Sequence, residues 1–163
     1  MAHLSRQGPW VFFVLLALST GVSGSYIWVK AATAQVLLRY AWNQSHGTST
    51  HRPWPWADTH PVGRLVSETH GVDLVILSGV SGATLAFGPG HQSGSAPLGS
   101  DGHVVLAAHR DTHFRFLKEV KLGESIWLQS PDGKWNNYQV NGLRMVHESD
   151  THHLDQAKTG ALT

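Results

Sequence analysis

The spacing of hydrophobic positions changes several times along this chain, and each change marks a different element. From Val11 to Leu18 the apolar residues run almost unbroken, and no charged residue stands between Arg6 and Lys30. An uncharged span of this length crosses a bilayer as a helix, which needs about 20 residues. Trp10 at one end and Tyr26 and Trp28 at the other suit the two membrane interfaces. A cleaved signal peptide is the rival reading, with Ala32-Thr33-Ala34 as a small-residue cleavage site. The uncharged span is longer than the usual signal core of about 7–15 residues, which favours a retained anchor. Basic residues lie on both sides, Arg6 on one and Lys30 and Arg39 on the other, so charge alone does not orient it.

Ile27, Ala31, Ala34, Leu37, Leu38 and Trp42 then recur at helical spacing. Two readings fit: an amphipathic stalk continuing the anchor, or a helix lying on the domain that follows. Asn43 to Thr50 is a polar linker. Arg52-Pro53-Trp54-Pro55-Trp56 cannot be regular helix, because alternating prolines remove donors and push their neighbours to extended backbone. The expected result is an extended strip whose two tryptophans clasp the domain; peptide binding is its alternative use.

Beyond this point the apolar runs are short. Strands are expected over 63–68 and 72–78, with Thr69-His70-Gly71 as the turn between them, and then over 85–88 and 104–108. Two more, over 125–130 and 138–146, flank Pro131-Asp132-Gly133, a hairpin signal. Residues 114–120 form one or two helical turns ending near Gly123. Many short strands with turn residues throughout predict an all-β barrel or sandwich. The expected division is 1–8 before the anchor, 9–29 anchor or signal, 30–50 stalk and linker, and 51–163 the β domain.

Composition narrows the function. The 163 residues suffice for one domain, and a net charge of +1 supplies no field to gather nucleic acid or anionic lipid. Only 14% of residues are charged, but apolar content is ordinary at 41%, so disorder is not indicated. Histidine is abundant at 12 residues, and cysteine is absent, so the chain makes no disulfide and holds no thiol.

The stretch that carries chemistry is GHVVLAAHRDTHFRFL, Gly102 to Leu117. A buried run ends at His109 and opens into polar Arg110, Asp111, Thr112 and His113, which aims an imidazole from a rigid strand end into a loop. On position alone, an ordinary histidine at a strand end is an equal reading. AAHRDTHFRFL closely resembles the segment around the catalytic histidine of sortases, in particular those of Gram-negative bacteria, with Ala108 where that family usually has glycine. LAFGPGHQSGSAPLGSDGHVV (Leu85 to Val105) and RPWPWADTHPVGRL (Arg52 to Leu65) resemble the same family. The resemblance spans roughly residues 50 to 163.

That resemblance implies a sortase-like β-barrel behind an N-terminal transmembrane helix. It implies a single-pass inner-membrane protein with a cytoplasmic N-terminus and its domain in the periplasm. It implies a cysteine transpeptidase that cleaves a protein's C-terminal sorting signal through a thioacyl intermediate, passes the acyl group to an amine and needs no cofactor. His109 is then the acid–base partner of a cysteine. The family's cysteine follows a segment of type L-x-x-T-C and its arginine lies further on; Ala161-Leu162-Thr163 stands just before where that segment is expected, and none of the arginines present matches the family's. The barrel is therefore expected to be incomplete, with its last strands missing, unpaired edges, poor solubility and no activity of its own. Gly90, His91, Ser95 and Ala96 are candidate groove contacts, and Asp111 either orients an imidazole or faces solvent.

Other chemistry is weaker. His109 and His113 have the i, i+4 spacing of helical metal ligands, but no glutamate follows the first and the segment begins in a strand. His152-His153 with His147 reads as a solvated loop, although a histidine-rich periplasmic metal binder stays open as an alternative. Gly88-Pro89-Gly90 lacks the Lys-Ser/Thr of a phosphate loop. A non-catalytic membrane-tethered module that binds a partner's tail is the other alternative. Incubated alone with a sorting peptide, the chain is expected to form no thioacyl adduct; an adduct seen by mass spectrometry would contradict this.

Overall fold

The computed structural model describes Phe13, residues 29–45 and residues 49–145. The chain divides into two compact units, Met1–Val36 and Leu37–Thr163. The expected anchor over 9–29 lies, apart from Phe13 and Val29, outside the described residues. Among the described residues no helix is long and apolar enough to cross a membrane. Residues 29–44 are helical (α1), and the last two turns of α1 belong to the second unit.

The second unit is mostly β, as the apolar pattern predicts. Its elements run β1 (Pro61–Ser67), β2 (Val72–Ser78), α2 (Gly82–Leu85), β3 (Gly90–His91), β4 (Leu106–Ala107), a 3-10 turn η1 (Arg115–Lys118), β5 (Ser125–Gln129) and β6 (Trp135–Gln139). They form one six-stranded sheet in the order β4-β3-β2-β1-β5-β6. All pairings are antiparallel except β2 with β3. The sheet is not closed into a barrel: among the described residues, β4 and β6 are its two edges.

Burial along β1 alternates strictly, so one face is covered. Leu65 pairs with Leu74 on one side and Leu128 on the other, placing them on the inner face. The core there comprises Leu65, Ile76, Leu98, Val104, Leu106, Phe116, Val120, Ile126 and Leu128. β2 differs, because Val75, Ile76 and Leu77 are buried in succession. Ile76 faces the inner core, while Val75 and Leu77 pack with Leu38 and Trp42 of α1 and with Phe87. The periodic residues of α1 therefore lie on the domain, at least from Leu38 onward, which decides between the two sequence readings for that part.

Three expectations are corrected. Residues 85–88 are not a strand: Ser81 caps α2, its hydroxyl accepting from the Thr84 amide at 3.2 Å, and local capping wins over the short apolar run. The last strand lies three residues earlier than expected, over Trp135–Gln139, because Pro131-Asp132-Gly133 makes a tight turn with Gly133 at φ +85°. Of the two tryptophans, Trp54 is half-buried with its ring edge-on to Phe87 at 5.1 Å, whereas Trp56 is 79% exposed and clasps nothing.

The parallel β2–β3 ladder brings backbones unusually close. Leu77 N–H donates to Pro89 C=O at 2.8 Å and Gly79 N–H to His91 C=O at 2.9 Å. A Cβ at Gly90 would collide with the Gly79 carbonyl, while one at Gly94 would meet open space. Gly90→Ala is therefore expected to destabilise the chain by about 1–3 kcal/mol in urea unfolding, the usual cost of overpacking, with Gly94→Ala within about 0.5 kcal/mol of wild type. Equal midpoints for the two variants would contradict this.

Candidate functional site

β4 delivers the chain to a tight turn. The His109 carbonyl accepts from the amides of Thr112 and Phe114, both at 3.2 Å. This turn sorts the side chains: His109, Arg110, Asp111 and Thr112 are exposed, while His113 and Phe114 turn partly inward. Phe114 packs against the inner core and meets buried Phe116 edge-on at 6.1 Å. Two aromatic anchors thus fix a loop whose polar tip is free to meet another molecule.

Among the described residues, Asp111 is hydrogen-bonded to no imidazole. Its carboxylate accepts from Lys118 Nζ at 2.8 Å and lies 3.6 Å from the Arg110 guanidinium. The Lys118 hydrogen bond, and then the nearby positive charges, hold it below the usual carboxylate range. Both pairs are exposed and contribute little to stability.

Three of the four candidate groove residues, His91, Ser95 and Ala96, brace one another. His91 Nε2 lies 2.9 Å from the Ala96 carbonyl and 3.1 Å from Ser95 Oγ, which donates to the Gln92 carbonyl and accepts from the Val105 amide. Gly90 is buried against β2. The polar side chains of His91 and Ser95 are therefore hydrogen-bonded within the chain, to the segment leading into β4.

A pocket of about 430 Å³ opens on the other side of the His109 turn, lined by Thr69, His70, Val72, Thr112, His113, Arg115, Phe116 and Glu119. His109 is not part of its wall. Burial, and then the charge of His109, push the His113 imidazole below its ordinary 6.5. Behind the pocket, His70 Nε2 lies 2.7 Å from Glu124 Oε2, joining the β1–β2 turn to the start of β5. That hydrogen bond is the main reason the Glu124 carboxyl sits below its usual range. Sequence reasoning saw only a turn at Thr69-His70-Gly71; nothing local marks a partner 54 residues away. Among the described residues no three metal-ligating side chains converge.

The family model of the sortase domain matches residues 66–163, more than half of the chain. The chain belongs to the sortase family. Sortase D of Bacillus subtilis is 32% identical over 79 residues, covering 48% of this sortase and 39% of that protein. Sortase C1 of Streptococcus agalactiae superposes with a TM-score of 0.53 at 26% identity, over 61% of this chain and 53% of that one. A sortase D5 transpeptidase of Clostridium perfringens reaches a TM-score of 0.62 at 18% identity, over 79% and 82% of the two chains, which shows the shared fold. This sortase chain thus spans about two fifths of sortase D and about half of sortase C1.

His113 carries a pH dependence. Its folded pKa lies below its unfolded one, so as pH falls through about 6.5 the unfolded state takes up the proton first. His60, lowered by burial and then by the charge of Arg52, acts in the same sense. Stability is therefore expected to be full above pH 6.5 and to decline as pH drops below it. Urea unfolding at pH 7.5 and 5.5 checks this, with a smaller difference expected in His113→Gln. An NMR titration midpoint for His113 at or above 6.5 would contradict it.

Proposed function

We propose that this chain carries the imidazole half of a sortase active site, with His109 as the acid–base residue, and that the thiol and an arginine come from polypeptide outside this sequence. The observation that carries the reading is the placement of His109, exposed at the end of β4 on a turn anchored by Phe114 and Phe116. The resemblance of AAHRDTHF to the Gram-negative sortases supports assigning it to that class.

The chemistry follows from these groups. An imidazolium beside a cysteine favours the thiolate, which attacks the scissile carbonyl of a sorting signal. An arginine stabilises the oxyanion of the tetrahedral intermediate. Collapse breaks the C–N bond, His109 gives its proton to the leaving amine, and a thioester remains. An acceptor amine then attacks the thioester, loses a proton to the imidazole and expels the thiolate, which restores the thiolate–imidazolium pair. The chain has no cysteine, so by itself it is inactive in this reaction. The uncharged span over 9–29 supports placing it in the inner membrane with its domain in the periplasm.

The test extends the chain with a sortase segment bearing the cysteine and arginine strands and assays sorting-peptide cleavage. Activity is expected, and His109→Ala is expected to reduce it about 10²–10⁴-fold, the range for loss of an acid–base group. Cleavage that is unaffected by His109→Ala would overturn the assignment. A folded but inactive extension that still binds the peptide would favour a non-catalytic binding module.

A further inference from the structure

The pocket beside the His109 turn has no part in the chemistry above, yet it holds two opposite charges without partners. Arg115 is the first residue of η1 and Glu119 its C-cap, and both line the pocket. Among the described residues, neither makes an ion pair or a side-chain hydrogen bond, although other charged side chains nearby do. They do not pair with each other either: at three residues per 3-10 turn, side chains four positions apart point about 120° away from one another around the axis.

The remaining wall completes a binding surface. Phe116 and Val72 supply an apolar floor, and Thr69 and Thr112 supply hydroxyls. Burial lowers the His113 pKa, and its Nδ1 lies 3.3 Å from the Thr112 hydroxyl, so the ring offers its other nitrogen to the pocket. His70 is oriented by its bond to Glu124 and by the Phe116 ring 5.8 Å away. The recess, about 430 Å³ and largely open to solvent, admits a molecule of amino-acid size.

We propose that this pocket binds a small zwitterion, a free amino acid with an apolar side chain, its carboxylate on Arg115, its ammonium on Glu119 and its side chain over Phe116 and Val72. A ligand with a single charge would satisfy one side chain and leave the other facing it. A zwitterion meets both, with charge-assisted hydrogen bonds at each end. The proposal rests on the pocket's own residues and does not depend on the sortase reaction. Because Thr112 and His113 also belong to the His109 turn, occupancy would reach that turn directly.

The experiment uses the full chain and follows the imidazole C–H signals of His70 and His113 by NMR during titration with L-leucine. Isovalerate, which keeps the carboxylate alone, and isopentylamine, which keeps the ammonium alone, are the controls. Saturable shifts in the millimolar range are expected for L-leucine, with about tenfold weaker binding of each control, since losing one charged hydrogen bond costs about that factor. Arg115→Gln and Glu119→Gln are each expected to weaken L-leucine binding about tenfold. Both side chains are exposed, so the variants should fold, and their amide spectra check this. Absence of a saturable shift, equal binding of either control, or folded variants that bind L-leucine unchanged would overturn the proposal.

Discussion

The burial of Val75, Ile76 and Leu77 in succession is the constraint on which the rest of this structure depends. A strand covered on one face buries only alternate residues, as β1 shows. β2 is covered on both, with Ile76 in the inner core and Val75 and Leu77 beneath Leu38 and Trp42 of α1. Each fully buried side chain of this kind contributes about 1.5–3 kcal/mol. The same strand carries the parallel ladder to β3, with Leu77 opposite Gly90 and Ser78 opposite His91. β3 holds β4, and β4 ends at the His109 turn. The position of the imidazole is thus inherited, strand by strand, from an apolar triplet far from it in sequence.

The turn at the end of this chain of dependence separates two kinds of chemistry. Its outer side carries His109 with the Arg110, Asp111 and Lys118 charges, all open to solvent and to any strand that docks beside β4. Its inner side rests on Phe114 and Phe116 and forms the wall of the pocket that contains His113. An aromatic floor with a polar tip gives a fixed backbone and an accessible ring, which is what acid–base catalysis requires of a histidine. The thiol that such a ring would serve is absent from the chain.

Much of this could be read from residue order alone. The β2 boundaries follow from VDLVILS, and Asp132-Gly133 marks the last hairpin. The histidine at a strand end was legible because an apolar run stops there and a long family-specific string surrounds it. Other features are set by long-range contacts that leave no local trace. β3 and β4 are two residues each, and β3 is held where the Pro89 and His91 carbonyls accept from the amides of Leu77 and of Gly79, the residue after β2. Ser81 turns a run that looks extended into α2. Asp111 looked free to hold an imidazole until Lys118, seven residues later, came round the η1 turn to claim it. The apolar period of α1 fitted a free stalk as well as a packed helix, and only the apolar outer face of β2, covered by Leu38 and Trp42, decides between them for that part.

The central claim is that the fold sets the His109 ring where a cysteine on an added strand would meet it. The most direct measurement is a crystal structure of this chain joined to a cysteine-bearing sortase segment. The account predicts the sulfur within about 4 Å of the His109 ring, allowing for the looser spacing of unliganded sites. A well-ordered segment that places its sulfur beyond reach of that ring would contradict it.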